Sequence, residues 1–157
     1  MSRSRIAKIS HKNDKVEIHI EKEENSYTTK DTYLKSYDVP ELEFKTAWNE
    51  LEDVVRGVLN FPEEYAKGCI SVTSISISCH KECDVEGAVI SGTIRLPTAD
   101  SPFCFNTPHL PFEQYAENAG GKTMNPALVE KIEKLKKRAV DYYNGKRSQK
   151  DLLEQAA

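Results

Sequence analysis

The chain reads as an α+β domain: two antiparallel β-hairpins form one sheet, packed by a central helix and a C-terminal amphipathic helix. Three observations predict this. Apolar residues alternate with polar ones in VEIHIE (16–21) and again in AVISGTIRL (88–96), the period of half-buried strands. Apolar residues recur at helical spacing across 44–58 and 128–142. The elements run hairpin, helix, hairpin, helix within 157 residues, a length that suits one domain.

Val16, Ile18 and Ile20 share one strand face, with Glu17, His19 and Glu21 on the other. Residues 22–26 read as a turn, and YTTKDTYLKSY (27–37) suits the returning strand through its Tyr and Thr content. DVPE (38–41) predicts a helix start, with Asp38 as cap, Pro40 in the first turn and Glu41 completing a capping box. Phe44, Ala47, Trp48, Leu51, Val54, Val55 and Val58 then form an apolar stripe over a helix at 40–60, which Pro62 ends. Trp48, the single tryptophan, is expected to anchor the core. CISVTSISISC (69–79) is β-branched, but Ile70 and Val72 are out of phase with Ile75, Ile77 and Cys79. A bulge near Thr73–Ser74 accounts for the slip. Residues 97–125 hold four prolines among Phe103, Phe105, Leu110, Phe112 and Tyr115, and read as a structured loop packed on the body. Asn125 caps the last helix, Pro126 opens it and Gly145 stops it. Leu128, Ile132, Leu135, Ala139 and Tyr142 form its stripe.

The net charge of −3 hides an asymmetry. Residues 1–15 carry five basic and one acidic side chain, residues 16–121 eight and nineteen, and residues 122–157 nine and five. The expected organisation is a basic N-terminal arm (1–15), a domain at 16–145 and a flexible tail (146–157). No run approaches the ~18 apolar residues of a membrane span. The basic N-terminus lacks an apolar core, which predicts no signal peptide. Four cysteines with no sign of export suggest reduced thiols in a bacterial host cytosol.

Residues 116–123, AENAGGKT, fit the loosest phosphate-loop pattern. Their context argues against nucleotide binding. LPFEQYAEN is not a buried strand, the helix begins at Pro126 rather than at Lys122–Thr123, and no later strand ends in a magnesium-binding acid. Gly120–Gly121 reads as a link instead, and no cofactor is expected. CHKEC (79–83) with Cys104 and His109 offers one zinc reading, the set Cys79, Cys83, Cys104 and His109. Its spacings depart from the recurrent ones, which favours a plain hairpin turn. Catalysis needs a nucleophile beside a base, and Cys104 with His109 in the long loop is the one pair on offer. No nucleophile elbow occurs, so a non-enzymatic role is expected.

Lys134, Lys137 and Arg138 on a basic last helix suit phosphate contacts, and Tyr27, Tyr33 and Tyr37 on the first hairpin suit base stacking. Together they form a candidate single-stranded nucleic-acid site. The acidic middle of the chain supports an inverse alternative, a nucleic-acid mimic that occupies a DNA-binding protein.

The tail reads QKDLL at 149–153. It resembles the bacterial sliding-clamp-binding motif, Gln-x-Ser/Asp-Leu-Phe. Gln149, Asp151 and Leu152 match, and Leu153 stands where Phe is preferred. Such a segment offers two adjacent apolar side chains to a pocket. NTPHLPFE (106–113) and GKRSQ (145–149) also give the last third the look of small phage or mobile-element proteins of DNA metabolism. The resemblance implies an accessory protein of bacterial or phage DNA replication that binds a protein partner, such as a sliding clamp, through its tail.

Overall fold

A computed structural model describes residues 3–25, 27–60, 69–80, 84–115 and 119–145. The chain is α+β, with one seven-stranded antiparallel sheet and helices on one of its faces. The strand order is β3-β2-β1-β4-β5-β6, and β7 pairs with β5 beside β6.

β1 (Arg3–Lys12) and β2 (Lys15–Glu23) form the first hairpin. Its two-residue turn holds Asn13 and Asp14 at φ 53° and 64°. This is the left-handed pair that a primed hairpin turn requires and that Asn and Asp tolerate. β3 (Thr29–Ser36) returns along β2. Arg3–Lys12, within the segment expected as a basic arm, therefore supplies a strand at the centre of the sheet. The expectation failed because Ile6 and Ile9 lie three apart, which breaks the strand period. A register shift between Ile6 and Lys8 restores it, so that Ile6 faces Ile20 and Ile9 faces Ile18 on one side.

β4 (Ile70–Cys79) and β5 (Glu86–Ile94) form the second hairpin. Its register slips between Val72 and Ser74, where the apolar phase changes. The slip brings Ile70, Ile75 and Ile77 to the face of Ile90 and Ile94. The long connection 97–125 is not strandless. β6 (Phe103–Asn106) and β7 (Leu110–Pro111) both add to β5. Prolines keep these edge strands to four and two residues.

The helix expected at 40–60 is α1 (Leu42–Asn49) and α2 (Leu51–Leu59), joined through Glu50 in a right-handed helical conformation. The expected capping box is absent. The helix begins at an extended Glu41 that makes no side-chain cap. Pro40 holds the residue before it out of the helical region, which delays the start. α3 (Pro126–Tyr143) begins as expected: the Ala127 N–H donates to Asn125 Oδ1 at 2.9 Å. Gly145, at φ 101°, follows it.

One buried cluster runs from Ile6 to Tyr142 and joins both hairpins to all three helices. His11 sits edge-on to Phe44 and Trp48, with ring centroids 6.0 and 5.6 Å away. The Tyr142 hydroxyl donates to the Asp38 carbonyl at 2.7 Å and ties the end of α3 to the start of α1. Burying the aromatic pair Phe44 and Trp48 stabilises the fold by about 3–6 kcal/mol relative to exposure. No helix among the described residues is long and apolar enough to cross a membrane.

Candidate functional site

The helices cover the isoleucine face of the sheet. The other face carries polar side chains in register across the strands. One row runs Tyr33, His19, Lys8, Ser76 and Val89 from β3 to β5. The next runs Lys35, Glu17, Ser10, Ser74, Ser91 and Asn106 from β3 to β6. None of these eleven side chains is buried. At ~4.8 Å per strand, six strands give a surface about 24 Å across.

Tyr33 is 66% exposed and stacks on His19, with ring centroids 4.4 Å apart and planes at 15°. Asp31 Oδ1 lies 2.9 Å from His19 Nε2 and anchors the imidazole at its edge. Lys8, Ser10, Glu17, His19, Tyr33 and Lys35 line a shallow hollow of about 140 Å³ beside this platform. A second hollow adjoins it between Ser10, Lys12, Glu17 and Ser74.

Charge on this face is largely matched. Glu17 Oε1 lies 3.0 Å from the Lys15 ammonium and 4.0 Å from that of Lys35. The hydrogen bond from Lys15 holds the Glu17 carboxyl below its ordinary value, and the same bond holds the Lys15 ammonium above its own. Arg5 pairs with Glu21 at 3.4 Å and donates to the Ile77 carbonyl. Among the described residues, Lys8 and Lys12 have no carboxylate within ion-pair distance.

The nucleic-acid site expected from the sequence is not assembled as expected. Tyr33 and Tyr37 lie on the open face, and Tyr27 stands fully exposed in the β2–β3 turn. Lys134, Lys137 and Arg138 lie on α3, on the helical side of the sheet. There Lys134 pairs with Glu50 at 3.4 Å and Arg138 with Asp141 at 3.6 Å. Tyrosines and helix cations thus belong to opposite sides of the molecule.

The zinc and cysteine–histidine readings also separate. Cys79 faces Glu86 at one end of β5 and Cys104 faces Thr93 near the other. Seven residues of strand put these thiols roughly 23 Å apart. His109 lies against Gly87 and hydrogen-bonds Ser78, so it too is about 20 Å from Cys104 along the strand. Cys83 falls outside the described residues, as does the whole tail motif Gln149, Asp151, Leu152 and Leu153. Among the described residues no three His, Cys, Asp or Glu are grouped to hold a metal ion. In the glycine link the Gly121 carbonyl accepts from Gln114 Nε2, and the Met124 N–H donates to Pro111. α3 starts three residues beyond Thr123, so its N-terminal amides do not follow Lys122–Thr123 directly.

Sequence reasoning missed Lys8, Ser10 and Lys12 because it missed β1, and Ser91 and Asn106 because nothing marked them as facing one way. The serine alternation of SISIS (74–78) was the available signal. It says that the second hairpin has a polar face as regular as its apolar one.

Fold and surface define a two-layer α+β protein with a helix-packed sheet face and a free polar sheet face. No family model, no curated protein and no solved structure matches the chain.

Proposed function

We propose that this chain is a non-enzymatic accessory protein of bacterial or phage DNA metabolism that lays a single-stranded nucleic acid across the open face of its sheet. One observation carries the reading: an exposed Tyr33–His19 stack with Lys8 beside it and Lys12 further along the same strand, both without a carboxylate within ion-pair distance among the described residues. A base stacks on the tyrosine, the lysines take phosphates, and the hydroxyl and amide row from Ser10 to Asn106 meets sugars and base edges. The acidic-mimic alternative fits less well, because Glu17, Glu21 and Asp31 on this face each have a cationic or imidazole partner. The test is anisotropy of a labelled 12-mer oligothymidylate at low salt, with wild type and Tyr33→Ala. Stacking contributes about 1–3 kcal/mol per base, so the variant binds about 5- to 150-fold more weakly. No binding by the wild type, or equal binding by both, removes the proposal.

A protein-binding role for the tail is a separate proposal and rests on the pattern Gln149, Asp151, Leu152, Leu153. A sliding clamp should be retained by the full chain and lost on deletion of residues 149–157. Retention by the truncated chain rejects this role and leaves the sheet proposal standing.

A further inference from the structure

His109 is the residue whose surroundings the sequence misassigned most. Its partner is not Cys104 but Ser78, whose hydroxyl oxygen lies 2.6 Å from His109 Nε2. Both side chains are exposed. They come from different elements: Ser78 is near the end of β4, and His109 directly precedes β7.

The seat of the imidazole is built by the strand between them. Gly87 on β5 pairs with Ser78 across the ladder and with Pro111 on β7. A Cβ at Gly87 would lie 2.6 Å from His109 Nε2, 2.7 Å from its Cε1 and 2.9 Å from the Leu110 carbonyl oxygen. The absent side chain lets the ring lie down on the strand, and that position brings Nε2 to Ser78.

We propose that Ser78 is a reactive serine, with His109 as its general base, and that it is the site at which this chain is covalently modified by activated acyl or phosphoryl compounds. With the imidazole proton on Nδ1, the Ser78 hydroxyl donates to Nε2. Attack by Oγ on an electrophilic phosphorus forms the O–P bond as the proton passes to His109. With diisopropyl fluorophosphate the P–F bond breaks and fluoride leaves with its electron pair. His109 then releases the proton to water. Among the described residues no carboxylate orients the other ring nitrogen, so the pair is a dyad. The expected outcome is a lasting adduct rather than turnover. An anionic phosphoryl group there would add charge to the open face that Lys8 and Lys12 serve.

The experiment treats the full chain with diisopropyl fluorophosphate and maps the adduct by peptide mass spectrometry. One adduct is expected, on Ser78. It should be absent in Ser78→Ala, unchanged in Ser76→Ala and formed about a hundredfold more slowly in His109→Gln, the usual reach of a general base. His109 is at the surface, and circular dichroism checks that the His109→Gln variant is folded. Should that variant not fold, Gly87→Ala, which displaces the ring, is the second probe of the same rate. The inference is overturned by no adduct, by an adduct spread over Ser74, Ser76 and Ser91, or by a rate indifferent to His109.

Discussion

Glu17 holds the electrostatics of the open face near neutrality, so its removal is the sharpest test of that face. Its carboxylate engages Lys15 and Lys35 together. In the wild type Lys8 and Lys12 on this face have no carboxylate within ion-pair distance among the described residues. If each meets one phosphate, the logarithm of affinity falls with that of salt at a slope of about 1.4, using about 0.7 per phosphate on a single strand. Glu17→Gln frees Lys15 and Lys35, and four lysines give a slope of about 2.8. Lowering salt from 200 to 50 mM then strengthens binding about sevenfold for the wild type and about fiftyfold for the variant. Anisotropy titrations at four salt concentrations measure both slopes. The ion pairs are partly exposed and at the sheet surface, so the fold should survive. Protonation of Glu17 does the same work as the substitution. Its carboxyl is held low, so the charge and the stability it confers persist above the unfolded value and are lost as pH falls through the folded one. Wild-type affinity should therefore rise on acidification below the ordinary carboxylate range by a step that Glu17→Gln lacks. A variant slope equal to the wild-type slope, or weaker binding by the variant, refutes the assignment of the ligand to this face.

Lys8→Ala should cut oligonucleotide affinity and lower the salt slope by about 0.7, whereas Lys134→Ala, on the helical side, should change neither; anisotropy separates the two, and the reverse pattern would move the ligand to α3. Gly92→Ala tests the β4 bulge: a Cβ there would run into the Ser71 carbonyl oxygen, so urea unfolding should show a loss of about 3 kcal/mol or more, and a loss under about 1 would mean the strands part easily. Asn125→Ala should cost about 1 kcal/mol in the same assay, because it removes the one side-chain cap of α3, while Asn125→Asp should restore most of it.

The elements of this fold were legible where one period ran without interruption. VEIHIE alternates through its whole length, and the α3 stripe holds over four turns, so both were placed from residue types alone. The bulge in β4 was also readable, because Ile70 and Ile75 are far enough apart to show two phases on either side of Thr73. In β1 the same device hid the strand. Only Ile6 lies before the slip and only Ile9 after the start of the new phase, too few apolar residues to define either. Arg and Lys at positions 3, 5, 8 and 12 then made the segment look like a solvated arm. The edge strands β6 and β7 were masked by prolines that are compatible with short pairings at the rim.

The misplacement of the binding residues has a different cause, because every element concerned was correctly located. A helix that packs on a sheet turns its apolar stripe toward the sheet, and its charged side chains point away from it or, like Lys136 on Glu86, reach a strand end. The stripe of α3, Ile132 to Tyr142, shares its core with Ile18 and partly buried Leu34. Tyr33 and His19 neighbour those residues in sequence and so face the opposite way. Lys134 and Lys137 therefore cannot share a surface with Tyr33 unless one of the elements is turned over. The alternation of two strands and one helix stripe alone requires this. Applied to the second hairpin, it sets Ser74, Ser76 and Ser78 on the side of Tyr33, because Ile75 and Ile77 join the buried cluster. The cations that can serve a ligand on Tyr33 must then come from strands. Of the strand lysines, Lys8 on β1 and Lys35 on β3 line the hollow beside the stack, so the charge of β1 belongs to the sheet and not to an arm.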